Sequence, residues 1–158
     1  MWIALKSITS DYADPMTPEE YADTLQGILT RAATAAGVAG HLEQLLAAAR
    51  AQEGGADAIL VDVFVDQDAE GPFDVWARFE GRDAFALDRR FERERNLFGV
   101  EWTEDGWDPD VPARPRGWSR EDLEAAVVSA VSDWIAVLKP AASPEDFWLV
   151  GTPDGGFG

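Results

Sequence analysis

Apolar and polar residues alternate in two neighbouring stretches near the middle of the chain. In AILVDVFVD (58–66), one predicted face carries Ile59, Val61, Val63 and Val65. The opposite face carries Leu60, Asp62, Phe64 and Asp66. FDVWARFE (73–80) alternates in the same way, and such alternation is typical of β-strands that bury one face. Because only QDAEGP separates the two stretches, the pattern predicts an antiparallel hairpin.

Helical spacing precedes this hairpin. Thr17 and Glu20 have the spacing of a capping box, so we expect a helix to begin there. Its apolar stripe consists of Tyr21, Leu25, Ile28, Leu29 and Ala32. A glycine-containing break at 37–40 separates it from a second predicted helix over roughly residues 41–53. The two helices together predict an N-terminal helical hairpin.

The C-terminal third contains the longest helical pattern. Ser119 and Asp122 have capping-box spacing, and Lys139 followed by Pro140 is expected to end the helix. The apolar stripe consists of Leu123, Val127, Ala130, Val131, Trp134 and Leu138. The short apolar stretch FWLV (147–150) then predicts a final strand.

The segment between the hairpin and the last helix is less regular. Residues 83–95 favour helix because DRRFERER is rich in helix-forming, oppositely charged residues, although an alternating strand is the competing interpretation. Farther on, Asp105 and Gly106 lie between Trp102 and Trp107. An Asp-Gly step flanked by apolar residues predicts a second, tighter hairpin.

Taken in order, these elements predict a single α+β domain over residues 1–158. It would contain an N-terminal helical hairpin, a small antiparallel (meander-like) sheet, a long C-terminal amphipathic helix and a final short strand. Residues 1–15 precede a second methionine, Met16, and are compatible with an extra strand, an arm or a start-site artefact. Residues 152–158 are expected to form a loose tail.

The net charge of the chain restricts the possible binding partners more than the predicted helices and strands do. Thirty Asp and Glu residues against thirteen Lys and Arg give a net charge of −17. Such a field repels nucleic acid and anionic membranes and favours basic partners or cations. The sequence has no apolar run of the ~18 residues that span a bilayer, and its start does not resemble a signal peptide. We therefore expect a cytoplasmic protein.

Catalytic and metal-binding patterns are weak. The absence of cysteine excludes disulfides, thiolate catalysis and cysteine-ligated metals. Counted from Asp66, DQDAEGPFD matches the first positions of an EF-hand calcium loop, but Ala77 stands where a bidentate glutamate belongs. His41 is the only histidine, and no nucleophile motif accompanies it. We expect no cofactor, no metal and no enzymatic activity; a carboxylate-based metal-binding or hydrolytic protein is the alternative.

The polar face of the predicted hairpin supplies the candidate site. Aromatic rings surrounded by carboxylates suit protein recognition, because rings bury apolar area while charges orient the partner. The candidate partner-binding residues are Asp62, Phe64, Asp66, Asp68, Glu70, Asp74 and Trp76, with Glu104, Asp105 and Trp107 on a second loop. The alternative is that another layer of the same domain covers this face, either residues 83–95 or residues 1–15.

The size, acidity, lack of catalytic motifs and hairpin-plus-helix make-up are similar to those of bacterial immunity proteins, small α+β inhibitors of basic toxin domains. This resemblance implies an inhibitor-like protein that engages a basic protein partner, with no nucleic acid and no membrane. Type III secretion chaperones share these general features and form dimers, so a homodimer stays open. A structural domain whose acidity reflects only its proteome is the further alternative.

Overall fold

A computed structural model describes residues 16–51 and 55–155. The expectations for residues 1–15 therefore lie outside the described part of the chain, as do those for the end of the tail, residues 156–158. Residues 152–155 form a turn, in which the Gly155 amide donates to the Thr152 carbonyl at 3.1 Å.

Two helices open the described chain, as predicted. Helix α1 spans Pro18–Ala36, and both hydrogen bonds of the Thr17–Glu20 capping box are present. Gly37 adopts a left-handed conformation with φ of 70° and ends α1. Helix α2, Val38–Ala49, begins directly after it, three residues before the predicted start at residue 41. The end of the predicted range 41–53 falls on residues 52 and 53, which lie outside the described part of the chain. Gly37 makes the break, because glycine adopts the left-handed conformation at little cost. Gly40 lies within α2.

The predicted hairpin is confirmed as strands β1, Ala58–Val65, and β2, Phe73–Glu80. They pair antiparallel, with Val61 opposite Ala77. The sheet is extended by β3, Asn96–Phe98, antiparallel to β2, and by β6, Trp148–Gly151, parallel to β1. The sheet is thus mixed, not wholly antiparallel as predicted, because the final strand returns beside β1 after a helical crossover.

Residues 83–95 are helical, as favoured by their sequence, but in two pieces: α3, Ala84–Arg90, and α4, Glu92–Arg95. The Asp105–Gly106 turn joins β4, Glu101–Thr103, to β5, Gly106–Asp108, in a separate two-stranded sheet. Helix α5, Arg120–Leu138, begins at the predicted Ser119–Asp122 capping box. The α+β fold with a long C-terminal helix and a final short strand is therefore confirmed.

The hydrophobic core lies between one face of the sheet and the three long helices. Leu25 of α1, Leu45 of α2 and Leu123 of α5 are fully buried in one cluster with Val61 and Val75 of the strands. Segment 84–95 joins the same side, since Leu87 is buried in this cluster and Phe91 packs against it. The predicted core face of the hairpin is thus the real one. We call the opposite side of the sheet the outer face.

The helices in the described ranges include none that is long and apolar enough to cross a membrane.

Candidate functional site

The centre of the outer face is an ion pair between neighbouring strands. The register places Asp62 opposite Trp76, so that Arg78 lies on the diagonal. Arg78 donates two hydrogen bonds to the Asp62 carboxylate, from Nε at 3.0 Å and from Nη2 at 3.2 Å. Asp62 is only 4% exposed, and its hydrogen bond raises the pKa of Arg78 further above its ordinary value. Asp62 is therefore occupied within the molecule and does not present a free charge.

A groove of about 640 Å³ runs along this ion pair, and we call it the outer groove. The described residues that line it are Asp62, Phe64, Asp74, Trp76, Arg78, Arg95 and Pro153. Phe64 is 42% exposed and Trp76 is half-buried. The groove therefore offers two aromatic side chains that water reaches.

Arg95 reaches the outer groove from the end of α4. Its guanidinium lies 5.7 Å from the centre of the Trp76 ring, within the range of a cation–π contact. Its Nε donates to the Ala77 carbonyl at 2.7 Å and lies 3.3 Å from the Asp88 carboxylate. Because these groups satisfy Arg95, its charge does little to neutralise the remaining acids of the groove.

A second groove, of about 350 Å³, continues from the first, and we call it the hairpin groove. Its described lining is Asp74, Trp76, Asn96, Gly99, Val100, Glu101 and Asp108. Asp74 and Trp76 line both grooves and so connect them. Glu101 and Asp108 face each other across the base of the β4–β5 hairpin.

Asp74 is the carboxylate best placed to receive a positive charge. Partial burial raises its pKa above the ordinary value, while a hydrogen bond from the Val100 backbone lowers it. Within the described part of the chain Asp74 has no ion-pair partner. A carboxylate that has lost part of its water without gaining a cation is stabilised when a cationic group arrives.

The acidic loop between β1 and β2 is held by its own backbone and by helix α5. The Asp66 carboxylate accepts a hydrogen bond from the Glu70 amide at 3.0 Å. Arg120 donates to the carbonyls of Asp66 and Gln67 at 3.1 and 2.8 Å. Asp68 and Glu70 remain exposed. The loop is therefore a braced hairpin tip that presents free carboxylates.

Gly71 allows the connector before α5 to approach this tip. Its φ is 149°, and a side chain added there would place Cβ 2.6 Å from the Pro112 carbonyl oxygen. We expect Gly71→Ala to lower the free energy of unfolding by about 2 kcal/mol, since both the backbone conformation and the contact become unfavourable. Urea unfolding followed by circular dichroism checks this. Gly106→Ala is the control, because nothing lies within 4 Å of the added Cβ and only the backbone conformation becomes unfavourable. Equal decreases in the free energy of unfolding for the two variants would show that the contact with Pro112 costs nothing.

The β4–β5 hairpin divides its two tryptophans between the core and the solvent. Trp102 and Trp107 are cross-strand partners, yet Trp102 is 77% exposed whereas Trp107 packs against the hydrophobic core. Glu104 and Asp105 are exposed at the turn. The Thr103 hydroxyl donates to the Gly106 carbonyl at 2.8 Å and accepts from the Asp105 amide at 3.2 Å, which fixes the turn.

The residue types that ligate metals are dispersed over the described part of the chain. Across residues 16–51 and 55–155, no group of three or more His, Asp or Glu side chains is arranged to hold a metal ion. His41 is half-buried on α2, and its Nδ1 has no hydrogen-bond partner among the described groups.

The sequence-predicted site residues fall into three groups. Asp62, Phe64, Asp74 and Trp76 meet in the outer groove; Asp66, Asp68 and Glu70 form the hairpin tip; Glu104, Asp105 and Trp107 belong to the β4–β5 hairpin. Sequence reasoning missed Arg95, Glu101, Trp102 and Asp108. Pairing of the Asp-Gly hairpin could have brought Glu101 and Asp108 together, whereas nothing in the sequence brings Arg95 to Trp76.

Comparisons with curated proteins and with solved structures find no match for this chain. A family model does match residues 16–157, nearly the whole of it. The chain belongs to a protein family of unknown function, DUF6389.

Proposed function

We propose that this protein is a small acidic binding protein that engages a basic protein partner in the cytoplasm, in the manner of an inhibitor and without catalysis of its own. The observation that carries the proposal is the pair formed by Asp74 and Trp76. Asp74 is an exposed carboxylate without an ion-pair partner in the described structure, and it lies beside the half-exposed indole of Trp76 where two grooves meet. Partial desolvation on the groove side raises its pKa.

The charges around this pair favour a cationic group on the partner. Glu101 and Asp108 are exposed carboxylates of the hairpin groove. The two arginines of the outer groove are already bonded, Arg78 to Asp62 and Arg95 to Asp88. A Lys or Arg side chain entering beside Trp76 would therefore meet acids that are not already neutralised, and the indole would pack against its aliphatic part.

The wider surface contributes to the rate of encounter. A net charge of −17 attracts a basic protein over a distance comparable to the Debye length, about 10 Å at 0.1 M salt. The exposed carboxylates Asp68 and Glu70 at the hairpin tip add to this field, and neither forms an ion pair with another described residue. The proposal thus assigns steering to the tip and anchoring to the groove.

The first experiment is affinity capture from the source lysate at low and at moderate salt, followed by mass spectrometry. A basic protein retained in stoichiometric amount, and more weakly at the higher salt, supports the proposal. Recovery of acidic or neutral proteins alone contradicts it. The captured protein is then purified for kinetic measurements.

Steering and anchoring predict different kinetic changes with that purified partner. Asp68→Arg is expected to slow association about threefold, because it weakens long-range attraction, and to change dissociation little. Trp76→Ala is expected to accelerate dissociation about tenfold or more, because it removes the buried anchor. Surface plasmon resonance gives both rate constants.

Two further variants separate these effects from general ones. Asp133→Arg changes the net charge equally but lies on α5, whose other face packs on the core, so its association rate reports the non-local charge effect alone. Asp74→Asn removes the charge that the two grooves share, at constant side-chain size, and should weaken binding without altering the fold. Unchanged rate constants in Asp68→Arg, Asp74→Asn and Trp76→Ala would remove this surface from consideration.

A further inference from the structure

Trp102 is an exposed tryptophan on a rigid support. A 77% exposed indole leaves a large apolar side chain in water, and large aromatic groups are the residues that dominate binding energy at protein interfaces. The support is rigid because Thr103 braces the turn and Trp107 fixes the other strand to the core. Little conformational freedom is therefore lost when the indole is buried by another molecule.

The charge around Trp102 identifies the kind of surface that can cover it. No Lys or Arg occurs between Arg95 and Arg114. The same stretch contains five exposed carboxylates; Glu101 and Asp108 line the hairpin groove on the other face, whereas Glu104, Asp105 and Asp110 are not part of that groove's described lining. A second copy of this chain would bring a further −17 charge against these acids. Charge complementarity therefore favours a basic surface over a homodimer.

Phe85 shows that exposure alone does not define such a site. This side chain is 75% exposed on α3, similar to Trp102. Its ring lies 5.8 Å from the Arg89 guanidinium, and the neighbouring Arg82 and Arg90 are also exposed. The two aromatic residues thus have nearly equal exposure in opposite electrostatic surroundings, which makes Phe85 a matched control.

We propose that the β4–β5 hairpin is an anchor that inserts Trp102 into an apolar pocket rimmed by Lys and Arg residues on a folded protein partner. This rests on the proposed function and adds a second contact to it. Strand alternation places Trp102 on the face of the hairpin opposite Glu101 and Asp108. The groove and the anchor are therefore distinct surfaces that separate variants can address.

The test uses a phage-displayed library of small three-helix domains with a randomised surface, selected on the full chain at low salt. Selected domains are expected to be enriched in Lys, Arg and apolar residues at the randomised positions. Trp102→Ala is expected to raise the dissociation constant of these domains about tenfold or more. Phe85→Ala should leave it within about twofold, as is usual for a surface residue outside an interface.

Several outcomes overturn the anchor, and they can be told apart. Basic binders that tolerate Trp102→Ala but are lost with Trp76→Ala would refute the anchor and leave the groove proposal standing. Binders that are not basic, or the absence of binders, would refute both. An unchanged melting temperature and an unchanged urea-unfolding midpoint establish that Trp102→Ala is folded. Trp102→Phe should retain part of the affinity if the pocket is apolar.

Discussion

Arg78→Met is expected to lower the free energy of unfolding by about 3 kcal/mol, because it leaves the buried Asp62 carboxylate without its two charge-assisted hydrogen bonds. The loss lies at the low end for buried pairs, since 41% of the Arg78 side chain is exposed and water can partly replace it. Urea unfolding at neutral pH measures the difference. A loss below about 0.5 kcal/mol, the ordinary range for surface substitutions, would show that Asp62 is hydrated without Arg78.

Substituting Asp62, the other member of the ion pair, should lower the free energy of unfolding by less. Asp62→Asn keeps one oxygen acceptor for Arg78 and leaves a guanidinium that reaches solvent, so about 1 kcal/mol is expected. Asp62→Leu combined with Arg78→Met should recover stability relative to Arg78→Met alone, because no unpaired buried charge remains. Arg82→Met, at an exposed arginine of the following turn, is the matched control for losing a positive charge.

The pairing of Asp62 with Arg78 could not be predicted from the sequence. Alternation along β1 correctly placed Asp62 on the outer face, beside Phe64. It could not show that Asp62 is buried, because that depends on the diagonal neighbour across the hairpin, and hence on the register that the connecting loop fixes. A residue that looks like a partner-binding acid in the pattern is bound internally by Arg78.

Local signals predicted most of the fold. Both capping boxes, the β1–β2 hairpin and the Asp105–Gly106 turn involve residues that are close in sequence, and the structure contains all of them. The position of β6 beside β1 joins segments about ninety residues apart, and no local pattern encodes such a pairing. The difference between Trp102 and Trp107 is equally non-local: as cross-strand partners they share a face of the hairpin, and it depends on which of the two strands packs against the core.

Contacts between segments distant in sequence also show that residues 83–95 do not cover the outer face. Leu87 and Phe91 face the core, so the segment packs on the helical side of the sheet. Arg95 extends from its end to the Trp76 ring. Segment 83–95 therefore does not cover the aromatic and acidic lining of the outer face, and the alternative cover, residues 1–15, lies outside the described part of the chain.

Tyr21→Phe is expected to make this protein more resistant to alkaline unfolding. Tyr21 is fully buried against Trp118, with ring centres 5.1 Å apart, and its hydroxyl has no hydrogen-bond partner among the described groups. Burial raises the pKa of Tyr21 well above its ordinary value, because the phenolate would lose its water without compensation.

The protonation states of Tyr21 in the folded and unfolded chains determine how the free energy of unfolding changes with pH. Below the unfolded-state pKa of about 10, tyrosine is neutral in both states and contributes no pH dependence. Above it, the unfolded chain releases the proton while the folded chain retains it, so the free energy of unfolding falls by about 1.4 kcal/mol per pH unit. By pH 12 the loss reaches about 3 kcal/mol from this residue alone.

Urea unfolding of the wild type and Tyr21→Phe at pH 8, 10, 11 and 12 tests the assignment. At pH 8 the variant should be equal to the wild type or slightly more stable, because a buried hydroxyl without a partner is removed while the ring contact with Trp118 is kept. Above pH 10 the two curves should diverge by about 1.4 kcal/mol per pH unit. Parallel curves would mean that the hydroxyl reaches water in the folded state, and that the start of α1 is open to solvent beside Trp118.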